Sequence, residues 1–476
     1  MDAIKMPAQE ESSLIESFDR LKSIARATPY PALEMRRSWL DSLERLIQEN
    51  RQALIDAVRQ DFGQRSAVET RLAELFPSLE AIRHARRHLR GWMQPQGRKV
   101  SLWFMPAAAS VLPQPLGVAG VVVPWNYPLF LSFGPIVAAL AAGNRVMVKM
   151  SEYTPATGAL LERLTRQYFG HDVLAIVNGG PELGQAFTRL PFDHLLFTGS
   201  TAVGRHVMRA AAENLTPVTL ELGGKSPALV ARGADLRRSA EAIVAGKLMN
   251  AGQTCVAPDY VLVNEKDCGL LLDEIRAAAA RAYPTLANNP NYSAIINDRH
   301  YQRLQDWLEA ARQAGARIDA INPANEDLAA SRKFPLTLVQ RCPEGCALMQ
   351  EEIFGPILPV VAYDKFDEAL AYINARPRPL ALYLFDNDAL RVERVLKETV
   401  SGGVCVNDTL LHVVQDDLPF GGVGPSGMGH YHAKEGFLTF SKLKPVLRQS
   451  RLSGSWLTRP PYGRAVEFLL KLMLRR

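Results

Sequence analysis

Cysteine is scarce in this sequence, with five residues in a chain of 476. They stand at positions 255, 268, 342, 346 and 405, an odd and scattered set that does not suit a disulfide framework. Cys342 and Cys346, in the stretch CPEGC, have no second Cys/His pair at ligand spacing, so we predict no metal site there. We expect free thiols, as in a reducing compartment.

Low-complexity tracts and repeats of 20 to 50 residues are missing as well, which excludes disordered and solenoid proteins. The first residues, MDAIKMPAQEESS, include acids and lack an apolar core. This start predicts neither a secretory signal nor a transit peptide, and we expect a cytoplasmic protein. Hydrophobic residues make up 47% and charged residues 22%, and the length predicts two or three globular domains.

A dedicated basic face is absent from most of the chain, because the Lys and Arg residues that give a net charge of +6 are dispersed among acids. We therefore predict no nucleic-acid partner. The exception is the tail from Tyr462, YGRAVEFLLKLMLRR, with an apolar helical stripe flanked by Arg and Lys. It is too short to span a bilayer. Two alternatives stay open, docking on the protein's own body or lying in a membrane interface.

Apolar runs and helical patterns alternate along the chain in the manner of an α/β protein. Residues 10–95 read as helices, and residues 100–123, including SLWFM and SVLPQPLGVAGVVV, read as extended chain. Short buried strands alternate with helices from 117 to 230 and again from about 225 to 430, as in doubly wound parallel sheets. The later stretch FLTFSKLKPVLRQ is predicted to pair with the strands of residues 100–115.

The stretch LMNAGQTCVAPDY places Cys255 in a loop after a helix. A lone intracellular cysteine in such a loop is more often structural than catalytic, and a nucleophilic thiol needs a base nearby. TLELGGKSP offers one, since Glu221 ends an apolar strand before two glycines. VVVPWNYP places Asn126 after another strand, where its amide is suited to stabilise an oxyanion.

A nucleotide site is predicted at FTGSTAVG, between a strand and a helix whose N-terminus can face a pyrophosphate. The nearby strand NRVMVKMSE supplies Lys149 and Glu152. GGVGPSGMG contains Gly422, Gly424 and Gly427 in the spacing G-x-G-x-x-G, but Pro425 interrupts it and no βαβ pattern surrounds it. We reject it as the dinucleotide site.

Together these stretches resemble the aldehyde dehydrogenase superfamily. PWNYP, VKMSE, FTGS, ELGGKSP, GQTC, EEIFGP and PFGGVGPSGMG occur in the family's order, over about residues 15–445. GQTCVAPDY and the 34-residue separation of Glu221 and Cys255 resemble the class 3 branch. NDTLLHVVQDDLPFGG is similar to the bacterial coniferyl-aldehyde dehydrogenases within it.

The resemblance implies a thiohemiacetal mechanism in which Cys255 attacks an aldehyde, Asn126 holds the oxyanion, hydride passes to a nicotinamide, and Glu221 activates the water that hydrolyses the thioester. NAD is the expected cofactor, with NADP as the alternative, because Glu152 would repel a 2′-phosphate. The family's Lys-Pro-Ser-Glu is here Lys149-Met150-Ser151-Glu152. The expected cofactor-binding residues are Trp125, Lys149, Glu152, Phe197, Thr198, Gly199, Ser200, Gly204, Leu222, Gly223, Glu352 and Phe354.

The resemblance also implies an architecture: a Rossmann-type cofactor domain (1–91 and 115–218), an α/β catalytic domain (219–430), a β-strand oligomerisation arm (92–114 and 431–461) and the basic tail (462–476). Such an arm joins subunits, so we expect a homodimer acting on a small aldehyde, aromatic of the coniferyl type or medium- to long-chain aliphatic. Two other functions remain open, a non-redox thioester-forming acyltransferase or esterase, and a membrane-associated protein without enzymatic activity on the same fold.

Overall fold

The structure is a computed structural model that describes residues 7–455 and 459–474. Its helices are α1 (Ala8–Ala27), α2 (Leu33–Glu49), α3 (Arg51–Phe62), α4 (Ala67–Thr70), α5 (Phe76–Trp92), α6 (Phe130–Ala142), α7 (Pro155–Phe169), α8 (Pro181–Thr188), α9 (Thr201–Ala212), α10 (Leu236–Leu248), α11 (Glu265–Ala282), α12 (Asp298–Gln313), α13 (Ala347–Gln350), α14 (Phe366–Asn374), α15 (Ala389–Glu398), α16 (Ala433–Thr439) and α17 (Arg464–Met473). Its strands are β1 (Gln96–Arg98), β2 (Ala108–Pro115), β3 (Val118–Val122), β4 (Arg145–Lys149), β5 (Leu174–Val177), β6 (His194–Gly199), β7 (Val218–Leu222), β8 (Pro227–Val230), β9 (Tyr260–Asn264), β10 (Arg317–Ile321), β11 (Leu336–Gln340), β12 (Ile357–Tyr363), β13 (Ala381–Phe385), β14 (Gly403–Val406), β15 (Gly427–Met428) and β16 (Ser441–Arg448).

The first sheet has six strands in the order β15-β7-β6-β3-β4-β5. All pairs are parallel except β15 with β7. Its central strands are continuous apolar runs because helices cover both faces, as is usual for a parallel sheet. One apolar cluster joins it to α2, α3, α5 and α6, and a second joins its other face to α1, α8 and α9.

The second sheet has seven strands in the order β10-β11-β12-β9-β8-β13-β14. Its pairs are parallel apart from the edge strand β10, which runs antiparallel to β11. Helices α10 and α11 pack together beside it, and α10 begins at an Asp235 side-chain cap. The mixed α/β fold class predicted from the sequence is therefore confirmed.

A three-stranded antiparallel sheet, in the order β1-β2-β16, forms the arm. Register places Ser441 opposite Pro115 and Arg448 opposite Ala108, so the predicted pairing of the late extended stretch with residues 100–115 is confirmed. Its first residues differ from the prediction, since FLT is the end of α16 rather than strand. The domain boundaries that we assigned to these parts remain a prediction.

One prediction from local pattern was wrong, and the structure bears on the two alternatives left open for the tail. SLWFM is not a strand: Leu102–Phe104 form a single 3₁₀ turn, closed by a hydrogen bond from the Phe104 N–H to the Ser101 carbonyl (2.9 Å). The tail is helical, as predicted, but its described part, α17, has no buried residue. It does not dock on the protein's own body.

Among the described residues, no helix is both long and apolar enough to cross a membrane. All five cysteines are free thiols. Within the same described ranges, no group of three or more His, Cys, Asp or Glu side chains is arranged to hold a metal ion.

Candidate active site

Cys255 lies in a short turn between α10 and β9, at the junction of the two large sheets. α10 ends at Leu248 and a tight turn follows over Met249–Gly252, in which Asn250 and Ala251 both have positive φ (53° and 51°). The Gln253 side chain fixes this turn, since its Nε2 donates to the carbonyl oxygens of Asn250 (2.9 Å) and Ala294 (3.0 Å). The loop is therefore held by side-chain hydrogen bonds, and residues 250–259 are buried except Cys255, which is half-buried.

The environment of the thiol keeps it protonated at rest. Burial, together with the neighbouring carboxyl groups of Glu352 and Glu221, raises the pKa of Cys255 to about 12. A thiol becomes a nucleophile only as the thiolate. Attack by Cys255 on a substrate therefore requires that a nearby base accept its proton.

Glu221 is a carboxyl group close enough to act on the pKa of Cys255. It lies in β7 and is 3% exposed, and neither of its carboxylate oxygens has a hydrogen-bond partner among the described residues. Burial raises its pKa well above the ordinary value. A buried carboxyl group without partners is costly, and a pKa raised in this way is typical of a general acid–base residue.

Asn126 is held against the thiol loop from the opposite side. Its Nδ2 donates to the carbonyl oxygen of Gln253 (3.2 Å), two residues before the cysteine. An amide NH₂ has two hydrogens, so one remains for a ligand. The next residue, Tyr127, places its hydroxyl 2.7 Å from Thr254 Oγ1, which ties the segment to the thiol loop a second time.

A buried ion network that the sequence did not reveal positions Asn126. Arg65 Nη1 donates to the Asn126 carbonyl oxygen (3.0 Å), and the Arg65 guanidinium lies near the carboxylates of Glu69 and Glu74 (3.9 and 3.6 Å). Glu69 accepts from the Asn250 N–H (3.1 Å). Arg65 thereby connects the segment that carries Asn126 to the thiol loop, and only the fold brings these distant residues together.

Glu352 and Gly223 form a tight contact beside the thiol. A Cβ built on Gly223 would lie 1.9 Å from Glu352 Oε2, so only glycine allows the carboxyl group to take this position. The other oxygen, Oε1, is enclosed and has no partner among the described residues, and burial raises the pKa of Glu352 to about 8. Phe354 follows with φ of 49°, and its ring meets the Trp125 ring edge-on at 5.3 Å.

The remaining predicted cofactor residues lie where parallel strands of the first sheet end, which is where α/β proteins bind nucleotides. Register aligns Val122 with both Lys149 and Phe197, and Thr198 and Gly199 with Glu221 and Leu222. Thr198 Oγ1 is buried and has no described partner.

The turn after β6 leads directly into α9. Ser200 caps α9 through a bond from the Val203 N–H (3.4 Å), and a Cβ on Gly204 would lie 2.7 Å from Leu222. The glycine therefore lets α9 approach β7 closely.

Lys149 is 3% exposed, and its Nζ donates to the Met150 carbonyl oxygen (2.7 Å). Burial lowers the pKa of this lysine, while Glu152 acts in the opposite direction. Glu152 itself is exposed in the turn after β4. Lys149 and Glu152 therefore place one buried cation and one accessible carboxylate at the same edge of the first sheet.

Two further charged residues near the site were missed from the sequence. Lys225 forms an ion pair with Asp259 and donates to the Leu348 and Glu351 carbonyl oxygens (2.8 and 2.9 Å), which anchors the chain just before Glu352. Lys225 stands within ELGGKSP and Asp259 within CVAPDY, so both occur in motifs already noted. No local pattern indicated that the two would meet.

Comparison with known proteins decides the identity of this arrangement. The pattern of the aldehyde dehydrogenase family matches residues 16–446. The chain belongs to the aldehyde dehydrogenase family. A probable coniferyl aldehyde dehydrogenase of Pseudomonas aeruginosa is 53% identical over 99% of this chain and 98% of its own length. Mouse aldehyde dehydrogenase family 3 member A2 is 40% identical over 90% and 87%.

A solved structure of this family, the substrate-bound state of Staphylococcus aureus AldH, superposes with a TM-score of 0.91 at 36% identity, covering 97% of this chain and 99% of that one. The predicted membership of the aldehyde dehydrogenase family, and the resemblance to class 3 and coniferyl-aldehyde members, are confirmed.

Proposed function

We propose that this aldehyde dehydrogenase oxidises aldehydes to carboxylic acids with a nicotinamide cofactor, using Cys255 as nucleophile and Glu221 as general base. The observation that carries the proposal is the proximity of a half-buried thiol to a buried carboxylate whose two oxygens have no described partner. Structural carboxylates are normally hydrogen-bonded. An unpaired one beside a thiol is suited to exchange protons with it.

The first step is formation of a thiohemiacetal. Glu221 takes the proton of Cys255, and the sulfur bonds to the carbonyl carbon of the aldehyde. The free N–H of the Asn126 amide and the backbone N–H of Cys255 stabilise the oxyanion that forms. The rigid turn and the Arg65 network hold these donors in place, so little reorganisation accompanies the charge development.

The residues around Glu352 fit a nicotinamide cofactor. The carboxyl oxygen Glu352 Oε1 and the hydroxyl oxygen Thr198 Oγ1 are enclosed and have no described partner, so both are available to a bound cofactor. When bound, the nicotinamide supplies the two-electron acceptor that the oxidation needs. Exposed Glu152 beside Lys149 favours a free ribose hydroxyl over a 2′-phosphate, so we propose NAD in preference to NADP.

The second step is hydrolysis. The oxidised carbon is a thioester on Cys255. Glu221 first releases to solvent the proton that it took from the thiol, then removes a proton from the water that attacks the thioester and returns it to the leaving thiolate. The acid leaves and the thiol is restored. The same carboxylate thereby serves both steps, which explains why it is kept free of structural hydrogen bonds.

A cleft on the α6 side supports an aromatic substrate. It has a volume of about 140 Å³ and is lined mainly by Phe76, Trp92, Phe130, Val137 and His432; a cavity of about 150 Å³ is known to hold a benzene ring. His432 adjoins Tyr431, with ring centroids 4.6 Å apart. Burial raises the pKa of Tyr431 well above its ordinary value, and the neighbouring Glu221 and Cys255 act in the same direction. We propose aldehydes of the coniferyl type, with medium- or long-chain aliphatic ones as the alternative.

Two further features of the protein remain proposals. The arm formed by β1, β2 and β16 leaves two strand edges unpaired among the described residues, and we propose that it joins two copies into a homodimer in the cytoplasm. The exposed apolar residues of α17, including Phe468, Leu470 and Leu472, favour peripheral contact of this helix with a membrane surface.

The deciding experiment is nicotinamide reduction by the purified protein with NAD or NADP, over a panel of coniferaldehyde, benzaldehyde, hexanal and a long-chain aldehyde. Reduction that Cys255→Ala abolishes, with preference for the conjugated aromatic aldehydes, is expected. Normal turnover by that variant would refute the assigned nucleophile. Failure of both NAD and NADP to bind in calorimetry would favour the non-redox acyltransferase or esterase instead.

A further inference from the structure

The positive charge of this protein is concentrated in one small part of it. Residues 93–117 and 441–476, which hold the arm and the tail, contain eleven Lys or Arg and one acid, a net charge of +10. The chain as a whole carries +6, so everything else sums to −4. The arm and tail are therefore strongly basic, whereas the rest of the protein has a small net negative charge.

The register of the arm sheet gathers part of this charge at one end. Arg98, the last residue of β1, is paired with Ala109, and Arg448, the last residue of β16, is paired with Ala108. The connection from β1 to β2 and the chain leaving β16 therefore lie side by side. We call residues 98–106 and 448–452 the arm tip.

The arm tip also carries an apolar surface that nothing in the described structure covers. Leu102, Trp103, Phe104 and Met105 are 78, 52, 58 and 57% exposed, and Leu452 is 89% exposed. Four consecutive large apolar side chains in the open are unusual for a soluble surface. The turn that carries them is closed by backbone hydrogen bonds from the Phe104 N–H to the Ser101 carbonyl oxygen (2.9 Å) and from the Met105 N–H to the Leu102 carbonyl oxygen (3.2 Å).

The cations beside these side chains are unpaired. Within residues 7–455 and 459–474, no ion pair involves any of the four basic residues of the arm tip, which are Arg98, Lys99, Arg448 and Arg451. Exposed apolar residues that include a tryptophan, rimmed by free cations, match the two layers of a lipid surface, whose anionic headgroups lie above an apolar interior.

We propose that the arm tip is a docking surface for membranes that contain anionic lipids. Trp103 and Phe104 insert at the headgroup boundary, and the surrounding cations contact the lipid phosphates. A symmetric contact between two arm tips is disfavoured by the like charges that it would bring together. The surface extends the membrane contact proposed for α17 but rests on different residues, and it is independent of the aldehyde chemistry.

The test is co-sedimentation of the full-length protein with vesicles of phosphatidylcholine, with or without about 30% phosphatidylglycerol. Binding only to the anionic vesicles is expected, with loss in about 0.5 M NaCl, where charges are screened. Trp103→Ser/Phe104→Ser should weaken binding roughly tenfold or more, and Lys99→Glu/Arg451→Glu at least about fivefold for each charge removed.

Matched controls are Leu390→Ser, which removes an exposed leucine (73%) from α15, and Arg163→Glu, which reverses an exposed cation on α7. Both should bind as the wild type does. Because all substituted side chains are exposed, thermal melting followed by circular dichroism should be unchanged. The two arm-tip variants differ in chemistry, so a folding defect in one leaves the other informative.

Deleting residues 462–476 separates the arm tip from the tail. The shortened protein should still bind the anionic vesicles, and the double variant Trp103→Ser/Phe104→Ser should weaken the binding of the shortened protein too. Loss of binding on deletion, with no effect of the arm-tip variants, would overturn the proposal and leave the tail as the contact. The proposal would also be overturned if the wild type did not bind the vesicles. It would be overturned as well if the arm-tip variants dissociated an oligomer in the absence of lipid, because this surface would then bind a second copy of the chain.

Discussion

Replacing Glu221 with glutamine is the most informative single change in this enzyme. The substitution keeps the shape of a side chain that is 3% exposed, and it removes no hydrogen bond, because neither carboxylate oxygen has a described partner. The fold should therefore be retained. What is lost is the only role left to the carboxylate, which is to accept a proton from the thiol and from the hydrolytic water.

A positioned general base contributes about 10²- to 10⁴-fold to a rate, and we expect kcat of Glu221→Gln to fall within that range. The pH dependence carries the same information. Because burial raises the pKa of Glu221 well above its usual value, the carboxyl group is neutral at low pH and becomes a base as the pH rises. Wild-type activity should increase with pH through that raised pKa, and the variant should lose this limb of the profile.

The assay is rapid-mixing spectroscopy of nicotinamide reduction together with thermal melting. If hydrolysis is limited more than thiol attack, Glu221→Gln gives a burst of reduced cofactor close to one equivalent per active site, followed by slow turnover. If the substitution slows both thiol attack and thioester hydrolysis, the burst disappears as well, and alkylation of Cys255 by iodoacetamide slows in parallel. Cys255→Ala is the control that shows neither. Near-normal turnover with an unchanged pH profile would refute the assignment of the base.

Three other predictions follow from the buried contacts. Arg65→Lys keeps the positive charge but loses the planar guanidinium group that donates to the Asn126 carbonyl oxygen. Steady-state kinetics should show kcat lower by about tenfold or more at similar KM. An unchanged kcat would contradict a positioning role for Arg65. Gly223→Ala would place a Cβ 1.9 Å from Glu352 Oε2 and displace that flexible carboxyl group, so calorimetry should show cofactor binding weaker by roughly tenfold with the melting temperature retained. Burial raises the pKa of Glu74 to about 7 from 4.5, so between those pH values the folded state holds a proton that the unfolded state has lost. The contribution of Glu74 to the free energy of unfolding therefore falls by up to about 3 kcal/mol as the pH rises from 4.5 to 7. Chemical denaturation over this pH range should show a smaller fall for Glu74→Gln than for the wild type.

The exposed apolar residues of the arm tip and the tail illustrate where local pattern fails. SLWFM has the composition of a strand, and periodicity alone cannot tell a strand from a short apolar turn. The structure instead closes a 3₁₀ turn at Leu102–Phe104 and leaves the apolar side chains in the open. For the tail, the helical spacing of apolar residues predicted a helix correctly. That the described part of this helix has no buried residue could be known only from the fold.

Sequence by itself determined the α/β class, the pairing of residues 441–448 with the early strands, and the family, because periodicity, turn residues and ordered motifs are local properties that survive without coordinates. It also singled out Cys255, Glu221 and Asn126, since each stands at the end of a strand or helix where chemistry concentrates. The tertiary structure alone decided that Arg65 holds the Asn126 carbonyl oxygen and that Lys225 pairs with Asp259. It also decided that Glu352 fits only against a glycine at position 223. The reason is physical: a contact between residues far apart in the chain depends on how sheets and helices pack, and nothing in the spacing of either partner specifies the other.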